Sequence, residues 1–264
     1  MSRPLIPAQR RERIQEYLAM HRIAPSSELS ALLDVSEATI RRDLEWMESE
    51  GILVRTHGGA ILNQRLQTEP EYQQRALRNV EEKRQIGALA ASLIQDGDIV
   101  FVNSGTTTTQ LIHNIRSSAD ITVITNNLSA ALEAGEEGFE IILLGGTYQP
   151  RSQSVAGRFT IENLGHIYAD QAFIGVDGIT LKHGYTVPSN AEAEVIRMMM
   201  SRTNGPVNAL ADFSKWGVVS NFEVAQIHQV DRLVTDEQLG AIAREALANK
   251  PVEVMIAQAV FAEA

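Results

Sequence analysis

The sequence contains no cysteine, and this absence removes two classes of protein. Neither a disulfide-stapled secreted domain nor a zinc site held by cysteine thiolates can form. Long apolar runs are also missing: no stretch approaches the roughly 18 consecutive apolar residues of a membrane-spanning helix. The first residues, MSRPLIPAQRRERI, include no apolar run of signal-peptide length. We therefore expect a cytoplasmic protein that has no membrane partner.

Basic residues are in the minority, with 23 Lys and Arg against 33 Asp and Glu and a net charge of −10. Such a balance at first disfavours a nucleic-acid partner. The first 60 residues hold 8 arginines, no lysine and 9 acidic residues, so 15 basic and 24 acidic residues lie beyond them. Because the acidity belongs to the larger part of the chain, a small DNA-reading unit at the front is compatible with the composition if its arginines share one face.

The length of 264 residues favours two domains, at about 100–200 residues per domain. We expect the first domain to cover residues 1–62. Residues 63–80 are polar and include Pro70, which predicts a linker that runs into a helix. From 81 to 264, short apolar strands alternate with helices. This alternation predicts an α/β domain with a mostly parallel sheet.

The first domain shows the spacing of three short helices followed by a hairpin. Apolar positions predict a helix over residues 7–21, and Ser26 is expected to be the N-cap of a second helix. Ser36 is expected to cap a third helix, which Gly51 ends. Residues 52–55 and 61–62 are predicted to pair as strands. This is the plan of a winged helix-turn-helix, whose third helix enters the major groove of DNA.

The polar residues of the third helix and of the wing are the candidates for DNA contact. Arginine suits the guanine edge, and arginine or threonine suits a phosphate. We assign DNA binding to Ser36, Thr39, Arg41, Arg42, Arg55 and His57. The pattern alone fits a second hypothesis, a protein–protein module in which Arg41 and Arg42 pair with Glu37 and Glu45 along the helix.

Residues 103–108 read NSGTTT and lie between a predicted buried strand and a predicted helix. A helix N-terminus offers free N–H groups and a favourable dipole to an anion, and threonine hydroxyls add donors. This pattern predicts a phosphate site. It lacks the GxxxxGK[ST] string of a nucleoside-triphosphate loop. A Ser/Thr-rich helix cap that binds nothing would have the same local sequence.

Other polar residues fall where further predicted strands end, and ligands of open α/β sheets bind at the carboxyl ends of strands. We expect Lys215 to contact a phosphate, and Asp177 or Asp212 to accept hydrogen bonds from sugar hydroxyls. The predicted effector site comprises Ser104, Gly105, Thr106, Thr107, Thr108, Asn126, Gly146, Asp177, Gly178, Asp212 and Lys215.

The stretch VSEATIRRDLEWMESEGILVRTHGGA closely resembles the signature of the DeoR family of bacterial sugar-metabolism repressors. The resemblance continues through SGTTTTQL, VITNNLSAA, DQAFIGVDGI and LADFSKWG, over roughly residues 8–240. It implies binding to double-stranded operator DNA and a phosphorylated sugar or related intermediate as inducer. It also implies an effector domain similar in fold to ribose-5-phosphate isomerase.

The sequence departs from the family pattern at three positions: Asn103 stands where aspartate is common, Phe213 where serine is usual, and Ile196 where a basic residue is frequent. We expect Asn103 to remove a negative charge from the mouth of the pocket and Phe213 to add an apolar wall. Neither the inducer nor the operator sequence follows from these motifs.

An isomerase-like enzyme with an accessory helix-turn-helix is the alternative function. Such an enzyme needs a positioned general base, and Glu192 and Glu194 are the nearby candidates, with no activating lysine paired to them in the sequence. A protein-binding adaptor is a third reading. We expect a regulator and not an enzyme, with no cofactor, no metal and no catalytic residue. We also expect at least a homodimer, because one small module with few arginines makes few phosphate contacts.

Overall fold

The structure is a computed structural model that describes residues 5–21, 23–50, 52–56, 58–62, 64–65, 71–115, 120–134 and 138–258. Its N-terminal unit consists of α1 (Pro7–His21), β1 (Ile23–Pro25), α2 (Ser26–Leu33), α3 (Glu37–Ser49), β2 (Leu53–Arg55) and β3 (Gly59–Leu62). The three strands form an antiparallel sheet in the order β1-β3-β2. The predicted hairpin is present, and residues 23–25 add a third strand to it.

One apolar core holds the N-terminal unit together. Each helix contributes fully buried side chains at helical spacing, and the strands add Ala24, Leu53 and Ala60; the helical contributors include Ile14, Leu18, Leu29, Ile40, Leu44 and Met47. The core therefore fixes α3 against α1 and α2, while the opposite face of α3 points outward. The predicted winged helix-turn-helix is confirmed.

The expected N-cap at Ser26 is wrong. The residue that caps α2 is Pro25, and Ser26 is the first residue of the helix. The N–H of Ser26 donates instead to the carbonyl of Gly58 at 2.7 Å, because β1 pairs with β3 up to this point. Gly59 permits that pairing: a Cβ at this position would lie 2.2 Å from the carbonyl oxygen of Ala24.

The chain continues through β4 (Gln64–Arg65) and α4 (Tyr72–Ala76) into the larger unit. The helices of this unit are α5 (Val80–Ala91), α6 (Thr106–His113), α7 (Leu128–Glu133), α8 (Arg158–Leu164), α9 (Asn190–Ser201) and α10 (Ala241–Ala248). Its strands are β5 (Ile99–Val102), β6 (Thr122–Thr125), β7 (Glu140–Leu143), β8 (Thr147–Gln149), β9 (Ser154–Ala156), β10 (Gln171–Gly175), β11 (Gly178–Thr180), β12 (Gly184–Val187), β13 (Val207–Leu210), β14 (Val218–Val219), β15 (Phe222–Ala225), β16 (Arg232–Asp236) and β17 (Glu253–Ala257).

Seven of these strands form a parallel sheet in the order β17-β16-β13-β10-β5-β6-β7. Alternate residues of a strand face opposite sides, so Val100 and Val102 belong to the core that includes residues of α5, α6 and α7, whereas Phe101 belongs to the core that includes residues of α8, α9 and α10. Both faces are covered by helices. The predicted α/β architecture is confirmed.

The strand order reverses at β5. The chain runs from β5 outward through β6 to β7 and later returns as β10 on the other side of β5. In an open α/β sheet, ligands bind in the crevice outside the carboxyl ends of strands at such a switch point. Two loops flank this crevice: residues 103–105 after β5 and residues 176–177 after β10.

Candidate DNA-binding surface and anion-binding cavity

The N-terminus of α3 is built by Ser36 and Thr39. The Ser36 side chain caps the helix by accepting from the Thr39 N–H at 3.3 Å, and the hydroxyls of the two residues lie 2.9 Å apart. Sequence reasoning placed both residues among the DNA contacts. The structure places them at the exposed start of α3, where they hold each other in position.

Arg41 and Arg42 lie on the exposed face of α3. Arg41 is 3.6 Å from Glu37 one helical turn away, and 65% of its side chain is exposed, so a DNA phosphate or base can replace that pairing. Arg55, on β2, pairs with Glu45 of α3 at 3.0 Å. The predicted wing residue His57 lies outside the described residues.

The orientation of α3 is fixed by a buried carboxylate on its inner face. Asp43 is 2% exposed and accepts from Arg10 Nε at 2.7 Å and from Arg11 Nε at 3.1 Å, both on α1. The Arg11 guanidinium also lies 3.9 Å from the centre of the Trp46 ring. These contacts join α1 to α3 and leave the opposite side of α3 open.

The loop after β5 presents a concentration of hydrogen-bond donors. In the described part of the chain, the N–H groups of Gly105, Thr106, Thr107 and Thr108 have no hydrogen-bond acceptor, as expected for the first turn of α6. The Ser104 hydroxyl is buried and likewise lacks a partner among the described residues. A buried polar group without a partner is costly, and an anion placed here would accept from several of these donors.

The loop opens into a cavity at the switch point of the sheet. Six of the predicted effector-site residues line it together: Ser104, Gly105, Thr106, Thr107, Asp177 and Lys215. They come from three separate stretches of sequence. The structure therefore brings together the predicted phosphate loop, the predicted counter-charge and one predicted sugar-binding carboxylate.

The charges in the cavity meet at Asp177. This carboxylate is 4% exposed, and its Oδ1 lies 3.2 Å from Lys215 Nζ and 3.4 Å from Arg75 Nη1. Burial by itself would raise the pKa of Asp177, but the charges of Lys215 and Arg75 and their hydrogen bonds hold that pKa below its ordinary value. Asp177 therefore holds two cations beside the donor-rich loop, and a second carboxylate, Glu192, also lines the cavity.

The remaining predicted effector residues do not line this cavity. Thr108 donates its hydroxyl to the carbonyls of Asn103 and Gly105, and Asn126 accepts from the Ser104 N–H at 2.9 Å. Asp212 caps the short 3₁₀ helix Phe213–Lys215 by accepting from Ser214. Two glycines are sites of close packing: a Cβ would lie 2.1 Å from Thr160 Oγ1 at Gly146 and 2.4 Å from the Val218 carbonyl oxygen at Gly178.

Asn103 joins β5 to β10 instead of facing the mouth of the cavity. It is fully buried, accepts from the Gly175 N–H at 2.7 Å and donates to the Gly175 carbonyl at 3.0 Å. An ionised aspartate could accept but not donate, so the amide completes this pair. Phe213 is absent from the cavity lining in the described residues, and Ile196 lies on the buried face of α9.

Sequence reasoning left four lining residues out of the site: Arg75, Gly175, Val176 and Glu192. Glu192 was considered only as a general base for the alternative enzyme. Arg75 was assigned to the linker. The available signal was the spacing of Tyr72 and Arg75 at i and i+3 in YQQRALRN, which places an aromatic ring and a cation on one helix face.

The described ranges contain no cluster of three or more side chains suited to hold a metal ion. In the same ranges, no helix has the length and apolar character that crossing a membrane requires.

Two family models match the chain: the DeoR-like helix-turn-helix domain over residues 10–65 and the DeoR C-terminal sensor domain over residues 78–237. The chain belongs to the DeoR family. The resemblance read from its motifs is thereby confirmed, and the larger unit of this DeoR-family chain is a sensor domain.

Curated relatives match over nearly their full lengths. The HTH-type transcriptional repressor GlcR of Bacillus subtilis is 36% identical, with 93% of this chain and 94% of the relative covered. The HTH-type transcriptional regulator GlpR of Haloferax volcanii is 32% identical, with 95% of this chain and 98% of the relative covered. A putative aga operon transcriptional repressor of Escherichia coli O157:H7 is 33% identical, with 94% and 93% covered. The prediction of a transcriptional regulator rather than an enzyme is confirmed.

Solved structures with partial likeness include ribose 5-phosphate isomerase A from Methanocaldococcus jannaschii, with a TM-score of 0.37, 15% identity, and coverage of 51% of this chain and 53% of that one. Another is eIF2B beta from Chaetomium thermophilum, with a TM-score of 0.42, 17% identity, and coverage of 59% and 50%. At these scores the likeness carries no argument about function.

Proposed function

We propose that this DeoR-family regulator represses a sugar-utilisation operon and leaves its operator when a phosphorylated sugar, or a related intermediate, occupies the cavity at the switch point. The single observation that carries the proposal is the cavity itself. Unpartnered donors of residues 104–108 and the cations Lys215 and Arg75 lie at one end of the sheet, in a chain that begins with a helix-turn-helix.

DNA binding is assigned to residues 1–62, with residues 63–80 as the linker and residues 81–264 as the effector-binding and oligomerisation domain. Thr39, Arg41 and Arg42 are the proposed base and phosphate contacts of α3, and Ser36, Arg55 and His57 complete the surface. Support comes from the exposure of both arginines and from the buried Asp43 contacts that orient α3.

The phosphate of the ligand is assigned to the N–H groups of Gly105–Thr108, with Lys215 as counter-charge. The sugar hydroxyls are assigned to Asp177, Gly178 and Asp212, with Asn126 and Gly146 shaping the loops around them. What supports the first assignment is the set of donors without acceptors beside the partly buried cations Lys215 and Arg75. A regulator of this kind is proposed to work in the cytoplasm and as at least a homodimer, so that two helix-turn-helix units read two half-sites.

A thermal-shift screen over pentose and hexose phosphates, with inorganic phosphate as the minimal ligand, tests the cavity assignment. Wild-type protein should be stabilised by at least one sugar phosphate, since a ligand that binds only the folded state raises the melting temperature. Thr107→Glu places a negative charge where the phosphate should lie, so this variant should fold and lose the shift. Thr147→Glu makes the same change at an exposed strand residue and should retain it. A full response from Thr107→Glu would place the phosphate elsewhere.

A further inference from the structure

The segment of residues 71–79, which connects the N-terminal unit to the sensor and contains α4, is held by three side chains of the sensor, one on α6 and two that follow strands of the sheet. We call residues 71–79 the clasp. Its contacts are Tyr72 Oη with Thr109 Oγ1 at 2.9 Å, Arg75 Nη1 with Asp177 Oδ1 at 3.4 Å, and Asn79 Nδ2 with Asp212 Oδ1 at 2.9 Å. The clasp therefore rests on the strand-end face where the cavity opens.

Asp177 holds Arg75 in the way that a phosphate would. The single oxygen Oδ1 of Asp177 accepts from both Arg75 and Lys215, and burial leaves water little access to this group. A phosphate ester bound to the adjacent loop would present more oxygens and more charge to the same two cations. Arg75 and Lys215 can therefore exchange one anion for another.

The enclosed part of the cavity is smaller than a sugar phosphate. Its volume for water-sized molecules is about 20 Å³, which is room for about one water. The walls formed by residues 104–107 and 175–177 follow central strands of the sheet. Arg75, Glu192 and Lys215 come from helices outside the sheet, and of these helices the five-residue α4 is the one that continues into the connection to the N-terminal unit. Entry of a ligand is therefore easiest if α4 moves.

Movement of the clasp has a physical route to the DNA-binding unit. Upstream of the clasp, β4 follows the wing strand β3 and pairs with β14 of the sensor, three residues beyond Lys215. Ile23 of the N-terminal unit also packs against the sensor core. The chain next to the wing and the clasp are thus both attached to the sensor, at β14 and at the loops that carry Asp177 and Asp212.

We infer that Arg75 couples the cavity to the DNA-binding unit: the phosphate ester of the ligand replaces Asp177 as the acceptor for Arg75, draws α4 out of its docked position, and so changes the placement of the helix-turn-helix. This inference rests on the proposed function. The differential contact that such a switch requires is supplied by Arg75, which pairs with Asp177 in one arrangement and with the ligand in the other.

The test compares Arg75→Gln with Arg78→Gln, which makes the same change at an exposed residue of the clasp. Arg75→Gln should fold, because Asp177 keeps its contact with Lys215. Affinity for inorganic phosphate and for the sugar phosphate that shifts wild type should fall by about tenfold or more, since one charged hydrogen-bond donor is lost. Operator affinity is then measured at saturating sugar phosphate, using DNA selected by wild type from a random library.

Wild type and Arg78→Gln should lose operator affinity by about tenfold on saturation, within the usual range of coupling between sites, whereas Arg75→Gln should lose less than about twofold. Full release by Arg75→Gln overturns the inference alone and leaves the proposed function standing. Absence of any ligand response in wild type overturns both.

A second measurement does not require the variant to bind. Backbone hydrogen exchange of residues 71–79 in wild type should accelerate when the sugar phosphate is added, because the clasp is displaced, while exchange in α10 should stay the same. Unchanged or slower exchange in the clasp would overturn the inference.

Discussion

At the scale of single residues, function depends on which charged groups already have partners inside the protein. Asp43 is buried, and its two carboxylate oxygens accept hydrogen bonds from Arg10 and Arg11. It therefore orients α3 and is not accessible to DNA. Arg41 and Arg42 on the other face are exposed. An exposed ion pair such as Arg41 with Glu37 contributes about 0–1 kcal/mol, and a DNA contact replaces it at little cost.

The first prediction concerns these two arginines. Replacing Arg41 or Arg42 by alanine should weaken operator binding by about 1–3 kcal/mol and relax specificity at one base pair if the side chain makes a bidentate base contact. A phosphate contact would weaken all sequences alike and flatten the salt dependence. Quantitative gel shifts at several salt concentrations separate the two results. Arg13→Ala, an exposed change on α1, should leave affinity unaltered; unaltered affinity in the double variant Arg41→Ala/Arg42→Ala would remove this assignment.

The roles of residues whose partners lie nearby in the sequence could be predicted, whereas contacts between residues far apart in the sequence could not. Ser36 was identified as the cap of α3 because its partner Thr39 is three residues away. Arg75 pairs with Asp177 across 102 positions of sequence, and no local pattern contains that pairing. The role of Asn103 was missed for the same reason, because it depends on Gly175, 72 positions away.

At the scale of elements, α5 follows the clasp and packs against α6, whose first turn carries the proposed phosphate donors. Gly87 allows α5 to approach α6 closely: a Cβ at this position would lie 2.5 Å from the backbone carbon of Gln110. At its start, α5 carries Lys83, which is 4% exposed and donates to the carbonyls of Arg75 at 2.5 Å and Arg78 at 2.6 Å. Through these two hydrogen bonds, Lys83 joins the C-terminal end of α4 to the first turn of α5.

Lys83 predicts a pH dependence of stability. Burial lowers the pKa of Lys83 from 10.5 to about 8, with the Asp212 carboxylate opposing the shift. Between these pH values the unfolded chain binds a proton that the folded chain has released, so this residue should make the free energy of unfolding rise as the pH increases from about 8 to about 10.5. Below about pH 8 the folded protein buries the charged amine at a cost in free energy, so the contribution of Lys83 to the free energy of unfolding is least favourable there.

Urea unfolding of wild type and Lys83→Met across this pH range checks the effect. The variant loses two hydrogen-bond donors and should be less stable throughout. The difference in unfolding free energy between wild type and variant should nevertheless grow with pH. A difference that shrinks or stays constant would contradict a lowered pKa for Lys83.

Element types were predictable from the sequence, but their partners were not. The alternation of apolar strands with helices indicated a parallel sheet, because strands buried on both faces have continuous apolar runs. The order that places β10 beside β5, and so creates the switch point, depends on pairings far apart in sequence. Strand β1 was missed because three residues are too few to show a period, and Pro25 suggested an interruption.

At the scale of the whole molecule, one end of the sheet gathers residues 104–107, Asp177 and Lys215, and Arg75 of the clasp lines the same cavity. In the proposed function, ligand binding and DNA binding belong to one equilibrium. Tight binding alone would change nothing; the ligand must prefer the arrangement that releases DNA.

The most direct test is a titration of the protein–operator complex with the sugar phosphate found in the thermal-shift screen, followed by fluorescence anisotropy of labelled operator. Wild type should release DNA in a saturable manner. Thr107→Glu should bind the operator with wild-type affinity and keep it at every ligand concentration. Release of the operator by Thr107→Glu at the same ligand concentrations as wild type would contradict the claim that the cavity at the switch point controls DNA binding.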